Sequence, residues 1–216
     1  DSNRYRLPPQ DGDRAYATRP DVVSRLGGVA IDAMLAGGVL PVIKHIPGHG
    51  RARSDSHLAL PVVEASWDEL VSSDFVPFGA LNDCPLAMTA HVVYTAIDPV
   101  RPATTSPDVI ERVIRHAIGY DGCLMSDDLS MRALSGGLGD RAVAAMAAGC
   151  DLALHCNGHL DEMEAVAEAV PVLAGAALER ADRALAARRA PAEFDVAVAR
   201  ARLAELLEPV WAHPGG

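Results

Sequence analysis

Four short apolar runs, each ending in polar residues and each followed by a stretch of helical pattern, constrain this chain more than any other feature. The runs cover residues 39–45, 86–92, 122–127 and 150–155. They are continuous and of strand length, which is how a strand reads when both faces of its sheet are covered. The segments between them carry helix signals. Residues 20–35 have apolar side chains at helical spacing and stop at Gly37-Gly38. Ser66 with Glu69 three residues later makes a capping box, and Ser106-Pro107 reads as a cap followed by proline at the first helical position. Residues 141–148, 161–169, 176–189 and 196–207 complete the helical pattern. Strand–helix alternation predicts an α/β fold built on a parallel sheet. The 216 residues are read as one domain, with 190–216 as a C-terminal helix and tail.

Composition narrows the partners. The formal net charge is −10 and there is no Lys/Arg run, so nucleic acid and anionic membrane are poor partners. No apolar run reaches the ~20 residues that a membrane span needs, so no membrane anchor is expected. Cys84, Cys123, Cys150 and Cys156 show no CxxC spacing, and three of them lie in apolar runs. They read as free thiols of a reducing compartment, with a cytoplasmic location expected.

In parallel α/β folds, chemistry gathers at the carboxyl ends of the strands. Here those ends carry Lys44-His45, His91, Ser126-Asp127-Asp128, and His155 with Asn157. The first strand runs into KHIPGHG (44–50), where proline and glycine fix a sharp exit. A short polar stretch without periodicity follows and reads as a mobile loop. It holds Asp55 and His57, two residues apart, so that in an extended loop the carboxylate can hydrogen-bond the ring and tune it for acid/base work. His45 and His49 are four apart, but Pro47 and Gly48 between them exclude the helix that would make this a metal-ligand spacing. No metal is expected. Asp127 and Asp128 point to opposite faces of a strand. An aspartate at this rim can serve as nucleophile, metal ligand or helix cap, and Asp128 stands where it can cap the next segment.

These motifs together resemble the β-N-acetylhexosaminidases of glycoside hydrolase family three. The resemblance rests on KHIPGHG followed by Asp55-Ser56-His57 and Leu60-Pro61, on Met88-Thr89-Ala90-His91, on SDDLSM (126–131), and on Gly149-Cys150-Asp151 with Cys156-Asn157. It spans about residues 11 to 190. The resemblance implies a TIM-like (β/α)8 barrel, a fold of ~250 residues, of which this chain would hold the C-terminal half to two-thirds. It implies Asp127 as the nucleophile, His57 as the general acid/base and Asp55 as its partner. It also implies Arg14, Lys44 and His45 as sugar-binding residues. His91 and Asn157 are further candidates for the pocket. No organic cofactor is implied.

The activity so implied is that of a retaining exo-β-N-acetylglucosaminidase. The closest branch removes terminal N-acetylglucosamine from peptidoglycan-derived muropeptides during cell-wall recycling in the cytoplasm. Two other readings stay open at the level of sequence. A glycoside phosphorylase could use the same nucleophile, because an uncharged histidine base repels phosphate less than a carboxylate does. A non-catalytic sugar-binding relative is the third reading.

Overall fold

A computed structural model describes residues 15–52 and 60–211. Among them are strands β1 (Val42–Ile46), β2 (Val62–Val63), β3 (Leu86–Thr89), β4 (Val93–Tyr94), β5 (Cys123–Asp128) and β6 (Leu152–Leu154). Four form one parallel sheet in the order β1-β3-β5-β6, and β2 pairs with β4 in a separate parallel pair. Each main strand therefore lies beside the next main strand in the sequence, as in the wall of a (β/α) barrel. The apolar runs explain the sheet: Ala87, Leu124 and Ile46 are fully buried.

The helices are α1 (Pro20–Ala36), α2 (Trp67–Glu69), α3 (Val76–Ala80), α4 (Leu138–Ala148), α5 (Leu160–Ala169), α6 (Gly175–Ala186) and α7 (Val196–Trp211). The capping box at Ser66 is present: its hydroxyl accepts from the Glu69 N–H, and the Glu69 carboxylate accepts from the Ser66 N–H. After α2 the chain continues as π-helical turns over Leu70–Asp74, and a longer π-helix spans Val109–Ala117. The latter buries Val109, Ile110, Val113 and Ile114 against the sheet. Ser106 caps this segment, accepting from the Val109 N–H.

All four predicted strands form, but their ends move for identifiable reasons. Val39 closes α1, donating its N–H to the Met34 carbonyl, so β1 starts at Val42. Cys150 donates to the Ala145 carbonyl, and Gly149 takes a left-handed φ of 113° at the end of α4. These bonds hold residues 149–150 to the helix, and β6 begins only at Leu152. The second run breaks after Thr89, and β4 begins at Val93, just beyond the end of the run.

The register slips at two places, between Lys44 and Ile46 of β1 and between Met125 and Asp128 of β5. Such irregularities re-aim side chains next to sites. The Lys44–His45 and Ile46–Pro47 peptide bonds are cis.

Candidate active site

Both register slips lie at the carboxyl end of the sheet, and they bring two of the expected residues together. His45 leaves the end of β1 and Asp127 leaves the end of β5, with His45 Nε2 3.7 Å from Asp127 Oδ2. The two strands are not neighbours; β3 lies between them. At this level β3 ends at Thr89, which pairs with Ile46 of β1 and accepts the Asp127 N–H. Burial pushes the His45 ring down to about 4, against the pull of the Asp127 carboxylate, and His49 and Lys44 push it the same way as burial. His45 is therefore neutral near pH 7. It meets Asp127 as a polar ring and not as an ion pair.

The two adjacent carboxylates have divided roles. Asp128 is occupied: its Oδ1 accepts from the Ser130 and Cys156 N–H groups at 3.0 and 3.1 Å, and its Oδ2 accepts from the Ser130 hydroxyl at 2.6 Å. Burial raises its carboxyl, but these hydrogen bonds outweigh burial and hold it below the usual carboxylate range. It turns the chain after β5 and ties that turn to the end of β6. Asp127 Oδ1 accepts the N–H of Asp128 at 2.8 Å, and Oδ2 faces His45. The Asp127 side chain is 12% exposed, enough to be reached from the rim.

The other expected residues fall in different places. Lys44 is exposed on β1, opposite Met88 of β3. His91 is fully buried, so it stands behind the strand ends and not on an open surface. Its Nε2 lies 3.0 Å from the Asp128 carbonyl oxygen and its Nδ1 2.7 Å from the Thr104 hydroxyl. Asn157 is exposed and builds the entry to α5, donating to Glu162 and accepting from the His159 N–H. Arg14, Asp55 and His57 lie outside the described residues.

Segments flanking residues 53–59 are anchored on both sides. Before them, the Arg51 guanidinium donates to Asp74 at 2.7 Å and to Ser73 at 2.9 Å, and the Tyr94 hydroxyl donates to the Gly48 carbonyl. After them, Val62 and Val63 pair with Val93 and Tyr94. A cavity of about 610 Å³ opens beside β1, lined in part by Lys44, His45, His49, Arg51, Asp74 and Phe78. Among the described residues no group of three or more His, Cys, Asp or Glu side chains is placed to hold a metal. His45 and His49 do approach each other, with ring centroids 5.6 Å apart. Cys84, Cys123 and Cys150 are buried free thiols, and Cys156 is an exposed one.

Three features were missed by sequence reasoning: the β2–β4 pair, the π-helical turns, and the buried hydroxyls Thr89 and Thr104 beneath the strand ends. The β-branched and aromatic residues of Val62-Val63 and Val92-Val93-Tyr94 were a usable signal for the first. A buried threonine has no comparable signature.

Residues 4–187 match the family described as glycosyl hydrolase family 3 N terminal domain. A β-hexosaminidase of Alkalilimnicola ehrlichii is 45% identical over 164 residues, which cover 74% of this chain and 47% of that protein. One from Tolumonas auensis is 42% identical over 68% of this chain and 45% of its own length. The chain thus spans about half the length of the curated relatives it matches. Among solved structures, NagZ from Neisseria gonorrhoeae in complex with N-trifluoroacetyl-D-glucosamine superposes with a TM-score of 0.73 at 32% identity. That match covers 83% of this chain and 52% of that one. A family 3 β-N-acetylglucosaminidase of Paenibacillus sp. str. FPU-7 gives 0.74 at 31% identity, over 88% of this chain and 39% of that one. The α/β architecture is accordingly TIM-like, its described strands forming one stretch of barrel wall. On the match over residues 4–187, the chain belongs to glycosyl hydrolase family 3.

Proposed function

We propose that the protein is a retaining exo-β-N-acetylglucosaminidase with Asp127 as its nucleophile. The observation that carries this reading is the division of labour at the end of β5. Asp128 is consumed by three donors, while the outer oxygen of Asp127 faces the rim beside the neutral His45. A carboxylate so placed can attack an anomeric carbon. The bond from that carbon to the leaving oxygen breaks as the new bond to Asp127 forms, and a general acid protonates the leaving oxygen. His57, with Asp55 as its partner, is proposed for that proton. In the second half, His57 takes a proton from water, the water oxygen attacks the anomeric carbon, and Asp127 is released. Lys44, His45 and Arg14 are proposed to bind the sugar hydroxyls. As a neutral ring, His45 can donate or accept in doing so.

The preference for a 2-acetamido sugar is supported by relatives named β-hexosaminidase and by the gonococcal structure holding N-trifluoroacetyl-D-glucosamine. The finer reading is a cytoplasmic enzyme that removes N-acetylglucosamine from muropeptides. It is supported by likeness to NagZ and by the free thiols. No helix among the described residues is long and apolar enough to cross a membrane.

The test is release of chromophore from an aryl β-N-acetylglucosaminide by the full-length protein. Turnover that is lost in Asp127→Ala and independent of added phosphate is the expected result. Turnover that persists in Asp127→Ala would reject Asp127 as nucleophile, and dependence on phosphate would make the protein a phosphorylase. Comparing a N-acetylglucosaminyl-anhydro-N-acetylmuramyl peptide with chitobiose tests the muropeptide reading, which expects the former to be cleaved with the higher kcat/KM.

A further inference from the structure

Asp127 sits where β5 leaves regular pairing. The register slip between Met125 and Asp128 removes strand-to-strand partners from the backbone groups that hold the nucleophile. Side chains replace them. The Asp127 N–H donates to the Thr89 hydroxyl at 3.3 Å. Thr89 lies 2.8 Å from the Thr104 hydroxyl, and Thr104 lies 2.7 Å from His91 Nδ1. His91 Nε2 lies 3.0 Å from the carbonyl oxygen of Asp128. Thr89, His91 and Thr104 are all fully buried.

The direction of every proton in this chain of contacts is fixed by its two ends. A peptide N–H only donates, so Thr89 accepts from Asp127; a hydroxyl can accept twice, so the destination of the Thr89 proton is set from the histidine end. A carbonyl only accepts, so His91 donates from Nε2. Burial lowers the His91 pKa, which keeps the ring neutral and leaves a lone pair on Nδ1. Thr104 has three acceptors in reach, the Ala90 carbonyl at 3.1 Å, the Thr89 hydroxyl at 2.8 Å and His91 Nδ1 at 2.7 Å; its single proton goes to the Nδ1 lone pair, the shortest contact, so Thr89 donates to Thr104. The result is a closed loop of hydrogen bonds from the backbone on one side of Asp127 to the backbone on the other. Each donor is used once.

We propose that His91 and Thr104 are positioning residues that fix the Asp127–Asp128 backbone and so aim the Asp127 carboxylate at its target. This rests on the reading of Asp127 as nucleophile. Neither residue need touch substrate. Their effect is on the rate of a correctly bound complex, since small misplacements of a reacting group are costly: about 1 Å can cost on the order of 10²-fold.

The experiment measures kcat, KM and melting temperature of the full-length protein on an aryl β-N-acetylglucosaminide. Four variants are compared with the parent: His91→Asn, His91→Gln, Thr104→Val and Thr104→Ser. Glutamine places its amide nitrogen where Nε2 stood and keeps the bond to Asp128, whereas asparagine reaches only the Thr104 end. The expected result is a kcat lowered on the order of 10- to 100-fold in His91→Asn and Thr104→Val. KM should stay within about twofold, and His91→Gln and Thr104→Ser should recover most of the rate. If His91→Asn and Thr104→Val keep the parental kcat, the proposal is wrong. It is equally wrong if kcat across the four variants merely follows melting temperature, because the loop is then only structural. An inactive parent overturns the reading of the site, and this inference with it.

Discussion

The two ends of the parallel sheet use the same residue type for opposite tasks. At the amino end, Asp151 precedes β6 and is 2% exposed. It accepts from the Arg115 guanidinium at 3.0 Å, from the Leu124 N–H at 2.9 Å, and from Arg180 at 2.6 Å. Arg115 also donates to the carbonyls of Tyr120 and Gly122, just before β5. The charge there is saturated, and it clamps α6 and the π-helix to the start of two strands. At the carboxyl end, Asp127 keeps one oxygen toward the rim and meets a neutral histidine. A charge held by every neighbour stabilises the fold, and a charge left with an unused face can react. The contrast separates the aspartate that builds from the aspartate proposed to act, although both belong to buried strand ends.

Substitution should divide along that line, and the largest effect is expected at the rim. Asp127→Ala should lower turnover by on the order of 10⁴-fold, as loss of a covalent nucleophile does. Its melting temperature should be unchanged or raised, since removing an incompletely paired buried carboxylate relieves a cost. A large drop in stability would place Asp127 in the same class as Asp151 and erase the comparison. Asp151→Asn comes next. It leaves two guanidinium groups facing a neutral amide, and urea unfolding should reveal a loss of about 3 kcal/mol, with kcat/KM of the folded protein nearly intact. A selective loss of activity at full stability would contradict the division.

Asp98 sharpens the comparison, because it is a saturated carboxylate at the rim. Burial pushes it up, but donors from Ser106, the Arg101 and Val100 N–H groups and the Arg101 side chain bring it down to about 2. A folded pKa below the unfolded value of 3.8 means stabilisation that is present above pH 4 and lost as pH falls through about 2. Asp98→Asn should therefore cost on the order of 2 kcal/mol at pH 7. It should also flatten the acid limb of the stability curve between about pH 4 and 2, and an unchanged limb would remove Asp98 from the saturated class. The smallest effect is expected at Ser66→Ala, whose side chain bonds to Glu69 and to neither Asp127 nor Asp151. Loss of that capping box should cost about 1 kcal/mol with no change in kcat, read from thermal unfolding.

The sheet was legible because a buried parallel strand leaves an unbroken apolar run, and residues 86–88 and 123–125 are such runs, each followed by polar residues. Their limits were less legible because Val39 and Cys150 are apolar residues spent on closing helices. The adjacency of His45 and Asp127 could be guessed only as membership of one rim. Their actual contact depends on two register slips, and a slip comes from backbone geometry that no residue type announces. Of the adjacent pair, the sequence offered alternation of faces. The family resemblance pointed to Asp127, and the proposal of Asp127 over Asp128 is further supported by which carboxylate the Ser130 and Cys156 N–H groups reach. His91 illustrates the remaining gap. Its position at a strand end pointed to the pocket, whereas the hydroxyl of Thr104, thirteen residues away, draws it inward.

The small β2–β4 pair has a consequence for how this architecture can vary. Val62-Val63 belongs to the connection after β1 and Val93-Tyr94 to the connection after β3, yet the two share backbone bonds: Val93 donates to Pro61 and Thr95 to Val63. Tyr94 reaches further, to the Gly48 carbonyl in the first connection. Neither connection is an independent module. A graft that replaced one of them by a connection without its strand would leave the other with widowed amides and carbonyls, so the unit of loop exchange on this face is the couple.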